Sequence, residues 1–125
     1  MRALALIGWF LVVVAVLIAA GCGGKVDETK PLGQVREEAA AMSARDLRSM
    51  ALSYQKAIEA KKSDVEKLAL RLKEVPITQA LGEEAKKLRS EMQELKASVR
   101  ALAERFRVYV EELRKKNGDL SGIQL

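Results

Sequence analysis

The chain has 125 residues, 49% of them apolar, with 22 Lys and Arg against 17 Asp and Glu, a net charge of +5, no histidine and one cysteine. A chain this short holds one small domain. The missing histidine removes the commonest general base and metal ligand, and a lone thiol has no partner for an intramolecular disulfide, so no catalytic, cofactor-binding or metal-binding residue is expected.

In chain order, Arg2 is the only charge before Lys25, and Ala3 to Ala20 is almost uniformly apolar. A basic residue, an apolar run and the small residues Ala19, Ala20 and Gly21 have the layout of a secretory signal, expected over residues 1–21. The run is also just long enough to span a bilayer as a helix, so an uncleaved single-pass membrane protein is the alternative.

Cys22 directly follows the small residues, and Ile18-Ala19-Ala20-Gly21-Cys22 resembles the lipobox of bacterial lipoproteins. That family usually has Leu three residues before the cysteine; here Ala19 stands there and Ile18 precedes it. The resemblance implies that the Cys22 thiol receives a diacylglycerol, that the preceding peptide bond is cut, and that the acylated cysteine anchors the protein to a membrane of the cell envelope. Two or three acyl chains hold firmly where one binds only marginally, at about 0.8 kcal/mol per buried methylene. In a host with two membranes an aspartate after the cysteine resembles an inner-membrane retention signal. Gly23 stands there instead, so the outer membrane facing the periplasm is expected, or the outer face of the plasma membrane in a host with one.

Residues 22–33 combine glycines, Pro31 and charges without apolar periodicity and are expected to be a flexible tether behind the lipidated cysteine. Beyond it the fold class is all-α, an antiparallel two-helix hairpin of coiled-coil type over residues 34–117. Apolar residues step by fours and threes through Ala40, Ala44, Leu47, Ala51, Tyr54, Ile58, Val65, Leu68, Leu72 and Val75, with Lys61 the exception. This predicts a helix over about 35–75. Pro76 interrupts it and places a turn at about 76–78. A second seam through Leu81, Ala85, Leu88, Met92, Leu95, Val99, Leu102, Phe106, Tyr109 and Leu113 predicts a helix over about 79–117, stopped by Asn117-Gly118. Residues 118–125 form a C-terminal tail.

A reversal at Pro76 sets Tyr54 against Val99 and Ala44 against Tyr109. Leu47, Tyr54, Ile58, Leu68, Leu72, Leu88, Leu95, Leu102, Phe106 and Tyr109 are the expected interaction seam. Met50, Leu70, Val108 and Val110 lie off the seam, so a bare hairpin leaves them exposed and predicts a homo-oligomer or a helical protein partner. Arg71 is expected to meet Glu84, and Glu112 to pair with Lys116 along its own helix. Lys61 weakens one seam layer or selects a register or partner.

Removing Arg2 leaves 21 basic against 17 acidic residues, interleaved along the chain, and export separates the protein from nucleic acid, so no nucleic acid partner is expected. The sequence therefore predicts a lipid-anchored, non-enzymatic structural or adaptor protein. It resembles the small, heptad-patterned lipoproteins of the bacterial envelope, but turns back at Pro76 and ends in Gln124-Leu125 rather than in a peptidoglycan-linked lysine. A subunit or assembly factor of a larger envelope complex is the second reading.

Overall fold

The computed structural model describes residues 26–124. The expected signal at 1–21 and Cys22 lie outside them. The described chain is all-helical: α1 (Leu32–Ala41), α2 (Ala44–Glu74) and α3 (Glu83–Lys115), with a short 3₁₀ turn (Ile77–Gln79) between α2 and α3. α2 and α3 form the antiparallel hairpin, and α1 packs on α3.

One continuous helix over about 35–75 was expected, but the chain turns a corner at Met42 and Ser43, both extended, with φ/ψ of −80°/149° and −68°/159°. Ser43 starts α2 as its N-cap, its hydroxyl accepting from the Asp46 N–H at 3.2 Å. At the end of α3, Lys116 turns away from Glu112 to donate to the carbonyls of Ala40, at 2.9 Å, and Met42, placing a cation at the C-terminal end of α1. Glu112 pairs instead with Lys115 at 3.0 Å.

The reversal is longer than expected. Val75 is extended before Pro76, and the N–H groups of Gln79, Ala80 and Gly82 each bond three residues back, to Pro76, Ile77 and Gln79. Gly82 caps α3, which opens with Glu83 and Glu84, carboxylates suited to a helix N-terminus. The turn thus takes up the residues expected to start the second helix, and Leu81 leaves the seam for solvent. The register slides by about one heptad. Tyr54 stacks on Tyr109, with ring centroids 5.2 Å apart at 40°, rather than facing Val99, and Lys61 meets Ser98. A slide of one full repeat keeps both apolar stripes face to face, so the hairpin survives the change.

The main core lies at the end away from the turn. Leu47, Ala51, Tyr54, Leu102, Tyr109 and Leu113 fill it, Val35 and Ala39 of α1 close one side, and Leu120 and Ile123 of the tail pack against it. Val108 and Val110, expected to be exposed, are buried because α1 and the tail cover the hairpin here. Met50 is partly buried against the same core, and Leu70 remains exposed as expected. The tail is fixed to α2: Arg48 donates to the Ser121 carbonyl at 2.9 Å, and Gln55 bonds both the Gly122 carbonyl, at 3.0 Å, and the Gln124 N–H, at 2.7 Å. No described helix is long and apolar enough to cross a membrane.

Candidate functional site

The ten seam residues are spent within the chain. Leu47, Tyr54, Ile58, Leu68, Leu88, Leu102 and Tyr109 are buried, and Leu72, Leu95 and Phe106 are half-buried. They build the protein's own hairpin, and Leu95 and Phe106 also line its open grooves. Burial pushes the Tyr109 phenol well above its ordinary pKa, which keeps it neutral throughout the physiological range.

Residues 26–31 were expected to belong to a flexible tether. The structure instead lays them along the hairpin as a docked strap. The Asp27 N–H donates to the Tyr54 hydroxyl at 3.1 Å, and that hydroxyl donates to the Asp27 carbonyl at 3.2 Å. Buried Arg105 grips the Lys30 carbonyl through Nε at 3.1 Å and Nη2 at 2.7 Å, while Nη1 bonds the Ala101 carbonyl at 2.8 Å. Lys30 pairs with Glu38 at 2.7 Å. Each raises or lowers the other in the sense expected of an ion pair: Lys30 above its ordinary pKa, and Glu38 below its own, helped by Gln34.

Lys61, the exception in the first seam, neither extends freely to water nor waits for a partner. It donates to the Ser98 hydroxyl and lies 3.5 Å from Glu28, while Ser98 in turn donates to Glu28. The Ser98 bond, followed by the charge of Lys61, holds the Glu28 carboxyl below its usual pKa against the opposing effect of burial. The strap thus docks at mid-height, where Lys61 is near the centre of α2 and Ser98 near the centre of α3. Sequence reasoning missed these contacts because they join residues up to 75 positions apart.

At the turn the hairpin is bare. Ile77 and Leu81 are 94% and 83% exposed and Leu70 59%, and α1 does not reach them. Between this tip and the strap, Arg71 and Glu84 line one cleft with Glu91, as their expected meeting requires, but do not close to an ion pair. On the opposite side of the hairpin, Lys62 faces Lys96 across a groove floored by Val65 and Val99, and the same groove continues past Ile58, Phe106 and Arg107. Charge on α3 is sorted between these sides. Helical spacing puts Lys86, Arg89, Lys96, Arg100, Arg107 and Arg114 on the flank bordering the Lys62 groove, whereas the acidic residues of α3 lie on its back and other flank. The interleaving read along the sequence is therefore segregation in space. The seven-residue spacing from Arg89 to Lys96, and from Arg100 to Arg107 to Arg114, is the signal that could have found it.

The described residues contain no group of three or more His, Cys, Asp or Glu placed to hold a metal ion. No protein family, curated protein or solved structure matches the chain.

Proposed function

We propose that the protein is a bacterial lipoprotein anchored through acylated Cys22, serving the cell envelope as a non-enzymatic structural or adaptor element. The observation that carries this reading is Cys22 itself, the only cysteine, directly after the 18-residue apolar run Ala3 to Ala20, which ends in two small residues, and Gly21. The ordered chain that follows supplies a rigid helical body with an apolar tip, the kind of element that spaces or joins larger components. Cys22→Ser tests the anchor. Radiolabelled palmitate incorporation and cleavage should both be lost, and the protein should leave the outer-membrane fraction of a two-membrane host. Unchanged labelling, cleavage and mobility overturn the reading in favour of an uncleaved membrane helix.

Exposed Leu70, Ile77 and Leu81 favour a second reading, a subunit or assembly factor whose partner covers the tip. Crosslinking from Ile77 in native membranes should then capture one partner reproducibly, and Ile77→Ser with Leu81→Ser should abolish the capture while leaving the helix content unchanged. Capture that persists in the double variant counts against a tip contact.

A further inference from the structure

The basic flank of α3 gathers in one row exposed cations that no ion pair holds. Among the described residues the ion pairs join Lys30 to Glu38, Arg48 to Asp119, Lys61 to Glu28 and Lys115 to Glu112. Lys86, Lys96, Arg100, Arg107 and Arg114 take part in none of them, and all five are exposed. Arg89, on the same flank, is tied to the Ala80 carbonyl at 2.8 Å. From residue 86 to residue 114 the strip runs about 42 Å at about 1.5 Å per residue.

Like charges so aligned repel one another, and an anion lying along them lowers that cost. Three of the five are arginines, whose planar forks match the oxygens of phosphate. The facing rim decides what shape of anion fits. α2 contributes Lys62 there but also Glu59 and Glu66, and Gln124 of the tail closes the groove at the core end. A flat surface spanning both rims meets those carboxylates, whereas a narrow chain lying along the flank passes Lys96, Arg100 and Arg107 and keeps clear of Glu59 and Glu66. No aromatic ring is exposed on the strip to stack a nucleobase: Phe106 is half-buried, and Tyr54 and Tyr109 are buried.

We infer that this flank of α3 is a docking strip for a linear phosphate-bearing polymer without bases, laid lengthwise along the helix. The strip is built from residues of α3 alone and stands whether or not Cys22 carries lipid.

The test uses the intact protein isolated from cells and fluorescently tagged inorganic polyphosphate as the probe. Binding is expected at about 50 mM salt, and the logarithm of the affinity should fall against that of the salt with a slope of about −0.7 per neutralised charge, or roughly −3.5 for the five cations of the strip. Lys96→Glu with Arg100→Glu and Arg107→Glu should weaken binding at least about tenfold. Glu84→Gln with Glu91→Gln and Glu94→Gln, on the other flank, should change it less than about twofold. If the charge reversal unfolds the hairpin by circular dichroism, Arg100→Gln with Arg107→Gln carries the same test with a smaller expected loss. Absence of binding, or equal losses from the two flanks, overturns the strip. Tighter binding to vesicles of anionic phospholipid, or to single-stranded DNA of equal charge, overturns the choice of polymer. Salt-sensitive self-association lost in the same variant, without polyphosphate binding, assigns the strip to a second copy of the chain and also overturns it.

Discussion

Asn117 and Gly118 end α3 by different means. Asn117 takes the left-handed conformation, with φ 53°, and its N–H bonds the Arg114 carbonyl at 3.0 Å, while the Gly118 N–H reaches the Leu113 carbonyl at 2.9 Å. These two bonds close the helix end in the Schellman manner, with asparagine where glycine is commoner. Gly118 is needed for space: a Cβ there would lie 2.1 Å from Leu113 Cδ1 and 3.3 Å from the Ala44 Cβ. Because Leu113 is fully buried and cannot swing aside, Gly118→Ala should cost about 1–3 kcal/mol by urea unfolding, the usual range for an overpacked core. Ser43→Ala should cost about 1 kcal/mol in the same assay through loss of the α2 cap. Its loss should also speed amide exchange in the first turn of α2. The stop at Asn117-Gly118 was legible in the sequence; the corner at Met42-Ser43 was not, although Ser43-Ala44-Arg45-Asp46 has the pattern of a helix start. Alanines concealed it. Ala40 and Ala44 continue the heptad count without a fault, yet Ala40 is exposed and its neighbour Ala39 is buried. A methyl group is small enough to sit on either side of a helix, so alanine carries the apolar stripe without fixing its phase.

At the scale of elements, the two long helices and their reversal were legible because several strong apolar residues fix each stripe, and Pro76 excludes a straight continuation. The slide of one heptad was hidden by the same regularity, since a seven-residue repeat matches itself again after one step. The strap could not be read at all. Glycine, proline and charge describe a tether whenever their partners lie far away in sequence, as Tyr54, Lys61, Ser98 and Arg105 do. Its docking should depend on pH. Glu28 has a lowered pKa in the folded protein, so its contribution is complete above the ordinary carboxylate value of 4.5 and is lost as pH falls through the lower folded value. The protection of the Asp27 amide against exchange, relative to its intrinsic rate, should therefore drop on acidification below that ordinary value. In Glu28→Gln the protection should start lower and the step should shrink without vanishing, because Glu38, also lowered, loses its pairing with Lys30 in the same acidic range. An unchanged step in that variant would remove Glu28 from the docking. Arg105→Met keeps the stem length but leaves the Lys30 carbonyl without its guanidinium, which should cost about 1–3 kcal/mol and loosen α1 together with the strap.

Across the whole molecule, packing is uneven. One end has α1, α2, α3 and the tail around fully buried Leu47, Leu102 and Leu113, and the other has two helices and an exposed turn. Leu102→Ala should cost about 2–5 kcal/mol, and amide protection should fall from the core end towards Ile77, following the density of buried contacts. Strap docking also decides how the molecule can be carried. The four links from Cys22 to Val26 extend at most about 14 Å, and the strap meets the hairpin near its middle, so the acylation proposed at Cys22 would hold the rod near its balance point instead of by one end. Such a rod behaves like a compass needle on a short pivot, with the membrane for its dial. So anchored, it would lie along the surface, with its two ends sweeping at similar heights and neither standing off as a mast. Fluorophores at Ile77 and at Asn117 should then be quenched alike by a lipid-headgroup quencher, whereas a rod standing on its core end would shield Ile77 alone. A needle pivoted in this way would search the plane around its anchor and meet neighbours on the same surface rather than whatever lies across the gap.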